Sequence, residues 1–367
     1  MHSLTITPKL QDTGTTIFTV MSKLASEHNA INLGQGFPDF DCDPKLLELV
    51  SSYVKEGKNQ YAPLAGLPSL LQVLSEKIDR TYGMKLKPES QLCVTAGATQ
   101  ALYTAIMAFV HPGDEVIIIE PAYDCYKSQI ELAGGILVPY RLSYPDYKID
   151  WDEMGDLVRD KTRMIIINTP HNPCGTILRS EDLKALESLV SGKNIVVLSD
   201  EVYEHLIYDG EEHQSVMRYP GLFEQSMAVF SFGKTLHATG WKLGYVTGPD
   251  HLIKEFKSIH QWNVFCVNSF LQFAIADYLK EPKNYEYLPG FFQEKRDHMN
   301  EFFKEVPLKP VVAKGTYFQL YNYEEVSDLS DLDFAKHLTS EIGVAAIPLS
   351  PFYTNPTGDK VVRLCFA

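Results

Sequence analysis

One lysine of the sequence stands where its amine could do covalent chemistry. Lys234 follows the apolar run MAVFS, with only Phe232 and Gly233 between them, and Lys242 comes eight residues later in ATGWKLGY. Burying the charged amine of a lysine at the end of a strand is energetically unfavourable, so such a lysine indicates a functional role. The role that fits an amine is formation of a Schiff base with a carbonyl compound. The alternative is an ordinary surface lysine on a loop.

An aspartate and a tyrosine follow another apolar run. Asp200 ends NIVVLSD, and Tyr203 comes three residues later. A carboxylate at the end of a buried strand needs a cation or a hydrogen-bond donor, and a protonated pyridine nitrogen would be such a partner. The hydroxyl of Tyr203 could enter the same space. Alternatively, Asp200 caps a helix that begins at Glu201.

Three further side chains have a functional and a structural interpretation. Asn172 in the NPCG turn could donate to a ring oxygen or simply favour the bend. Tyr123 could lie flat against an aromatic ligand or be a half-buried residue at the start of a helix. Arg363 ends the strand-like VVRL and could bind a carboxylate or form a surface salt bridge.

A turn of small residues could bind an anion. The segment AGAT, which ends in Ala98 and Thr99, leads directly into a predicted helix and offers free backbone N–H groups and the positive end of the helix dipole. The alternative is a tight connection between strand and helix. Neither GxGxxG nor GxxxxGK[ST] occurs, so the common nucleotide-binding motifs are absent.

Seven short apolar runs between about residue 91 and residue 247 alternate with segments of helix length, such as Thr99 to Val110 and Ser180 to Leu189, the second with Ser180 near Asp182 as its cap. This alternation predicts an α/β fold with a mostly parallel sheet between helices, whose carboxyl strand ends carry the polar residues above. The runs are QLCVT, EVIII, ILVPY, RMIII, NIVVLS, MAVFS and LGYVT.

The remaining segments predict a second, smaller domain. Amphipathic stretches at 250–280 and 283–305 precede strand-like pieces at 316–320 and 344–347, and a helix-like stretch at 17–28 precedes the loop GQGFPDFD, a candidate lid. We therefore expect a large domain at 45–278 and a smaller α+β domain formed by 1–44 and 279–367.

Charge and composition exclude several classes of protein. The 33 basic and 47 acidic residues give a net charge of −14, which disfavours nucleic-acid binding. The six cysteines form no CxxC pair, so we expect reduced thiols and no metal site. No apolar run approaches the roughly 18 residues of a membrane span, and the N-terminus does not resemble an export signal. A cytoplasmic protein is expected.

Taken together, these motifs resemble the class I aminotransferases, the fold type I enzymes that depend on pyridoxal 5′-phosphate (PLP), and within them the methionine and kynurenine aminotransferase branch. Family members usually continue beyond the last motif into a C-terminal helix. The matching motifs are NLGQGFPDF, NQYAPLAG, TAGATQALY, EPAYDCY, NTPHNPCGT, SDEVYEHLIYD, SFGKTLHATGWKLGY and VVRLCFA.

The resemblance implies roles for the side chains around the ring of PLP. Lys234 would carry PLP as an aldimine and afterwards move the proton between the substrate and the cofactor. Asp200 would pair with the pyridinium nitrogen, and Tyr203 and Asn172 would hold the phenolic oxygen. Tyr123 would stack on the ring.

The resemblance also implies how phosphate and substrate are held. Arg363 and Asn172 would bind the substrate carboxylate, and Gly36 would close over it. Tyr61 would arrive from a second subunit, which makes the protein a homodimer with shared active sites. The phosphate would be bound by the backbone of Ala98 and Thr99, by Ser231 and Lys242, and by Tyr61 of the second subunit.

The substrate class is predicted from a missing arginine. Enzymes specific for aspartate resemble this fold but add a second arginine, and the corresponding stretch HQWNVFCVNSF contains none. Phe18, Phe37, Tyr61 and Phe265 are expected around an apolar side-chain pocket. We therefore expect ping-pong transfer of an amino group from methionine or an aromatic or kynurenine-like amino acid to a 2-oxo acid.

Two alternatives remain open at this point. A carbon–sulfur β-lyase acting on cysteine S-conjugates uses the same lysine, aspartate and arginine. A PLP-binding regulator without catalysis would carry a basic DNA-binding domain ahead of the aminotransferase motifs, which begin here near residue 34 of an acidic chain.

Overall fold

The computed structural model describes residues 6–10 and 14–367. The beginning of the predicted small domain, and most of the segment on which the expectation of no export signal rests, lie outside the described residues. Within them, no helix is long and apolar enough to cross a membrane.

Helices and strands alternate through most of the described chain. The strands are β1 (Ile31–Asn32), β2 (Leu92–Thr95), β3 (Glu115–Glu120), β4 (Ile136–Arg141), β5 (Thr162–Asn168), β6 (Val196–Asp200), β7 (Ser226–Ser231), β8 (Gly244–Thr247), β9 (Lys309–Val311), β10 (Phe318–Asn322), β11 (Val344–Ala345), β12 (Ile347–Pro348) and β13 (Val361–Cys365). The α-helices are α1 (Ile17–Glu27), α2 (Pro44–Lys55), α3 (Pro68–Tyr82), α4 (Pro88–Gln91), α5 (Ala98–Phe109), α6 (Cys125–Ala133), α7 (Trp151–Asp156), α8 (Ser180–Val190), α9 (Pro220–Phe223), α10 (Phe232–Thr235), α11 (Asp250–Asn263), α12 (Ser269–Leu279), α13 (Leu288–Phe303) and α14 (Asp331–His337). Short 3₁₀ turns lie at Val216–Arg218, Thr239–Trp241, Pro282–Asn284 and Ser350–Phe352, and a π turn at Leu338–Ile342.

The central sheet has seven strands in the order β2-β8-β7-β6-β5-β3-β4. Only β8 runs antiparallel to its two neighbours, and the other pairs are parallel. Each of the seven apolar runs forms one of these strands, so the predicted mostly parallel α/β sheet is confirmed.

Helices cover both faces of this sheet. Successive strand residues point to opposite faces, and Val116 and Ile166 pack in one core while Ile117 and Ile165 pack in the other. Because both faces are buried, the central strands consist of continuous apolar runs. Polar side chains are therefore confined to the strand ends, where the predicted site lies.

A second, four-stranded antiparallel sheet has the order β12-β13-β10-β9. The short strand β1 pairs in parallel with β11, with Ile31 opposite Val344, so the segment after α1 is tied to the C-terminal part of the chain. The residue boundaries of the two domains stay a prediction.

The structure differs from the sequence-based elements at several places. The stretch at 250–280 forms two helices, α11 and α12, because Phe265 between them adopts a left-handed backbone with φ of 70°. The stretch at 344–347 is divided between β11 and β12, which belong to different sheets. Helix α8 is capped at Arg179, whose backbone N–H donates to Asp182 over 2.7 Å, and Ser180 is its first residue.

Candidate active site

A cavity of about 280 Å³ opens at the carboxyl ends of β5, β6 and β7. Most of the residues predicted for the site line this cavity, together with residues that were not predicted. The predicted residues that line it are Phe18, Gly36, Phe37, Ala98, Thr99, Tyr123, Asn172, Asp200, Tyr203, Ser231, Lys234, Lys242 and Arg363.

Lys234 lies in the short helix α10, which begins directly after β7. Its Nζ donates to the backbone oxygen of Gly36 and to the hydroxyl of Tyr317, both over 2.9 Å. Burial lowers the pKa of the Lys234 amine to about 8, because the charged form loses its hydration. An appreciable minority of the amine is therefore neutral close to physiological pH, and a nucleophile or a base requires this neutral form.

Asp200 is the last residue of β6 and is buried. The hydroxyl of Tyr126 donates to its Oδ2 over 2.6 Å, and burial raises the pKa of the carboxyl to about 6. The chain continues from Asp200 into turns rather than a helix, so the interpretation of Asp200 as a helix cap is wrong. A cation facing this carboxyl would favour its ionised form.

A network of amide groups fixes the loop after β5. The side chain of Asn168 accepts from the backbone N–H of Asn172 and donates to the backbone oxygen of Asp200, both over 2.8 Å. The loop thereby holds Asn172 beside the cavity. The ring of Tyr123 lies at the cavity wall, edge-on to Tyr126 with 6.0 Å between the ring centroids.

One end of the cavity is built for an anion. Helix α5 begins at Ala98 after Gly97, whose φ is 78° and which provides no side-chain cap, so the N–H groups of the first turn remain available. A side chain at Gly97 would begin 3.6 Å from Nζ of Lys242, which places that amine beside the helix start. A Cβ on Gly244 would meet the backbone nitrogen of Ala98 at 3.2 Å, so glycine allows the close approach of β8.

Arg363 lies in the middle of β13 and is only 1% exposed. Its guanidinium donates to Oδ1 of Asn172 over 2.8 Å and to the backbone oxygen of Gly34 over 2.9 Å, and it stacks 3.8 Å above the ring centroid of Phe318. Both hydrogen-bond partners are neutral, and its buried Nε has no partner within residues 6–10 and 14–367. A buried cation in this state is complementary to an incoming carboxylate.

Tyr61 and Phe265 do not line the cavity of their own chain. Tyr61 is 83% exposed, and its ring meets the half-exposed ring of Phe265 edge-on at 5.4 Å. Tyr61 was expected to act from a second subunit. Phe265 was expected around the substrate pocket, and no second subunit was invoked for it. The turn between α11 and α12 carries Phe265 outward, so its half-exposed ring is not among the residues that line the cavity.

Several residues of the site were missed in the sequence, and Phe318, which stacks against Arg363, is one of them. Asn168 ends the run RMIIIN. The search for polar residues at the carboxyl ends of strands, which located Asp200, could also have found Asn168. Tyr126 comes three residues after the predicted Tyr123, a spacing that would have indicated a shared face if the helix had begun at Tyr123. Tyr317 comes from the second sheet region, and no sequence pattern connects it to the strand ends of the first.

Comparison with known proteins agrees with this geometry. The sequence profile of the family "Aminotransferase class I and II" matches residues 28–367. The chain is 47% identical over 360 residues to methionine aminotransferase of Escherichia coli (strain K12), covering 98% of this chain and 93% of that protein. It is 35% identical to human kynurenine–oxoglutarate transaminase 1, covering 94% of this chain and 90% of that protein.

A solved structure gives the same result. The crystal structure of YbdL from Escherichia coli, described there as having a methionine aminotransferase function, superposes with a TM-score of 0.96 at 46% identity and covers 99% of this chain and 96% of that chain. These relatives give no support to the β-lyase or the regulator alternative. The chain belongs to the class I and II aminotransferases, and it is a PLP-dependent transaminase of fold type I.

Proposed function

We propose that this enzyme transfers the amino group of methionine, or of an aromatic or kynurenine-like amino acid, to a 2-oxo acid. The observation that carries the proposal is the buried Arg363, which has no acidic partner among the described residues and lies in the same cavity as Lys234. The walls nearby are apolar, with Phe18, Phe37 and Leu102 among them. Such walls suit thioether and aromatic side chains.

The residues of the cavity fit PLP. Asp200 offers a buried carboxyl to a protonated ring nitrogen, and the uncapped start of α5 with Lys242 offers an anion site to the phosphate. The Lys234 amine lies in the same cavity as both. When bound, PLP supplies an aldehyde that bonds covalently to an amine and a conjugated ring that takes up an electron pair.

Each side chain then has a task that its position allows. Asp200 holds a proton at the ring nitrogen, and the Tyr126 hydroxyl keeps the carboxylate in place. Lys234 takes and returns the proton at the substrate's α carbon. Arg363 binds the substrate carboxylate through N–H groups that no acidic residue in the described part of the chain occupies, and the loop that contains Gly36 excludes water from above.

The remaining cofactor contacts are proposed on the same basis. Tyr123 would stack on the ring, and Tyr203 and Asn172 would donate to its phenolic oxygen. Ser231 ends β7 at the edge where Ala98, Thr99 and Lys242 lie, and it would add a hydroxyl to the phosphate. Their shared position on one cavity wall supports these assignments.

A homodimer with shared sites is proposed from the exposed aromatic pair of Tyr61 and Phe265. Tyr61 would reach the phosphate of the second copy, and Phe265 its substrate pocket. Mixing the inactive variants Lys234→Ala and Tyr61→Ala would test this proposal, because each mixed dimer would regain one intact site. Recovery of about a quarter of the wild-type activity is expected, and no recovery would contradict shared sites.

A cytoplasmic location is also proposed. It is supported by the six cysteines, all of which are free thiols. Cell fractionation with antibody detection would test it, and recovery of the protein from an oxidising compartment would contradict it.

Absorption spectroscopy and a transamination assay test the central proposal. The purified enzyme should be yellow, should bleach with borohydride, and should convert methionine and a 2-oxo acid into the corresponding products. Lys234→Ala should lose both the bleaching and the activity. A wild-type enzyme that binds PLP but transaminates aspartate far better than methionine would contradict the proposed substrate class.

A further inference from the structure

A buried tyrosine outside the predicted set bonds directly to the catalytic amine. The hydroxyl of Tyr317 accepts a hydrogen bond from Nζ of Lys234 over 2.9 Å and donates one to the backbone oxygen of Gly36 over 2.6 Å. Nζ of Lys234 also donates to that same oxygen. The amine, the phenol and one backbone carbonyl of the loop after β1 are therefore connected pairwise by three hydrogen bonds.

The surroundings of Tyr317 fix its ring. The side chain is completely buried. Its ring meets Tyr203 edge-on at 5.3 Å and Phe318 edge-on at 4.8 Å. Burial raises the pKa of the phenol well above 10, so the hydroxyl keeps its proton and remains a donor to Gly36. The ring cannot turn away without disturbing two packed aromatic neighbours.

The number of hydrogens on a neutral amine determines where its lone pair points in this network. A neutral lysine amine has two hydrogens and one lone pair, and its two donor bonds to Tyr317 and Gly36 use both hydrogens. The lone pair is then the remaining tetrahedral direction, away from both acceptors. Because Lys234 also lines the cavity, this free direction is available to a substrate proton.

We infer that Tyr317 is a positioning residue that, together with the Gly36 carbonyl, aims the lone pair of the free Lys234 amine at the substrate's α carbon. The inference rests on the proposed function, because it assumes that Lys234 is the base. In the step concerned, the lone pair forms an N–H bond to the α hydrogen as the C–H bond breaks. The electron pair of that bond passes into the conjugated system of the bound cofactor.

The network also connects the base to the loop over the cavity. A lysine whose amine is covalently engaged cannot donate two hydrogens to Tyr317 and Gly36, whereas a released amine can. Nζ therefore donates to Tyr317 and to Gly36 at the same time only when the amine is free, which is the state in which the base must act. Tyr317 keeps its own bond to Gly36 in either state.

The test compares Tyr317→Phe with Tyr321→Phe. Tyr321 lies on β10, is equally buried, and its hydroxyl bonds to Gln319 over 2.7 Å, away from the cavity. Both variants lose one buried phenolic hydroxyl, so a purely structural effect should appear in both. Each variant is first checked for folding by circular dichroism and for its yellow cofactor absorption.

Single-turnover kinetics with α-deuterated methionine measures the proton transfer. Tyr317→Phe should slow α deprotonation by about 10- to 100-fold and increase the primary isotope effect, while the dissociation constant of methionine changes less than about threefold. Tyr321→Phe should match the wild type. Equal losses in the two variants, or none in Tyr317→Phe, would overturn the inference.

Two measurements on the apoprotein do not depend on turnover. Hydrogen–deuterium exchange of residues 34–41 should be about fivefold faster in Tyr317→Phe, since one neutral hydrogen bond to Gly36 is lost. The apparent pKa for capture of added PLP should fall by about one unit, because the phenolic oxygen stabilises the ammonium form. An unchanged pKa and unchanged exchange would contradict the network. A wild-type apoprotein that captures no PLP would instead contradict the proposed function.

Discussion

The substitution Arg363→Lys tests how the substrate carboxylate is held. The charge remains, but lysine cannot reproduce the planar fork that bonds to Asn172 and Gly34 while stacking 3.8 Å above Phe318. A charge-assisted hydrogen bond contributes about 1.5–3 kcal/mol, and a desolvated cation–π contact about 2 kcal/mol. Because lysine retains part of the attraction, we expect a net loss of about 3 kcal/mol in the transition state, or roughly 100-fold in kcat/KM.

The assay for this prediction uses a pair of substrates. Methionine carries the carboxylate, and its decarboxylated amine does not, so only the first should respond to Arg363→Lys. Both are measured in the donor half-reaction by the loss of the yellow absorption. If the variant slows the two compounds by the same factor, Arg363 does not act on the carboxylate, and the reasoning from its missing acidic partner is refuted.

Three further predictions concern the ring nitrogen and the buried charges. Asp200→Asn should keep the borohydride-sensitive yellow colour but lower kcat by about 1000-fold or more, because a neutral amide cannot hold a proton at the ring nitrogen; an unchanged kcat would contradict this role. Glu204→Gln should lower the free energy of unfolding at pH 7 by about 3–5 kcal/mol, since it leaves Lys77 buried without the carboxylate 2.7 Å away. The wild-type pKa of Glu204 is lowered to about 2, so denaturant titrations should show this difference at pH above 4.5 and its loss as the pH falls towards 2. Burial lowers the pKa of His171 from 6.5 to about 4. Its neutral imidazole should therefore add about 3 kcal/mol to the free energy of unfolding above pH 6.5, and this contribution should disappear as the pH falls towards 4. His171→Leu should flatten that part of the plot of unfolding free energy against pH.

The parts of the fold that follow from local pattern were predicted correctly. The seven strands of the large sheet are short apolar runs because helices cover both faces of the sheet. This pattern can be recognised in a single sequence without an alignment. The rule that ligands bind beyond the carboxyl strand ends then located the neighbourhoods of Lys234 and Asp200. These predictions required only the order of apolar and polar residues along the chain.

The predictions that failed depended on contacts between distant segments. Nothing in HQWNVFCVNSF marks the left-handed residue Phe265, and an amphipathic pattern alone does not show where one helix ends and the next begins. Tyr317 reaches Lys234 only because the second sheet packs against the first, a contact between residues 83 positions apart. The role of Tyr61 stays a prediction, because it concerns a second copy of the chain, which no pattern within one chain describes.

The antiparallel direction of β8 has a consequence for cofactor selection. Ser231 ends β7 directly opposite Gly244, the first residue of β8, so the short connection between them starts and returns at one edge of the sheet. Lys234 lies near its beginning and Lys242 near its end. In the proposed function, Lys234 would form an imine with the aldehyde and Lys242 would bind the phosphate, so an aldehyde without a phosphate would lose one of the two contacts that this connection offers.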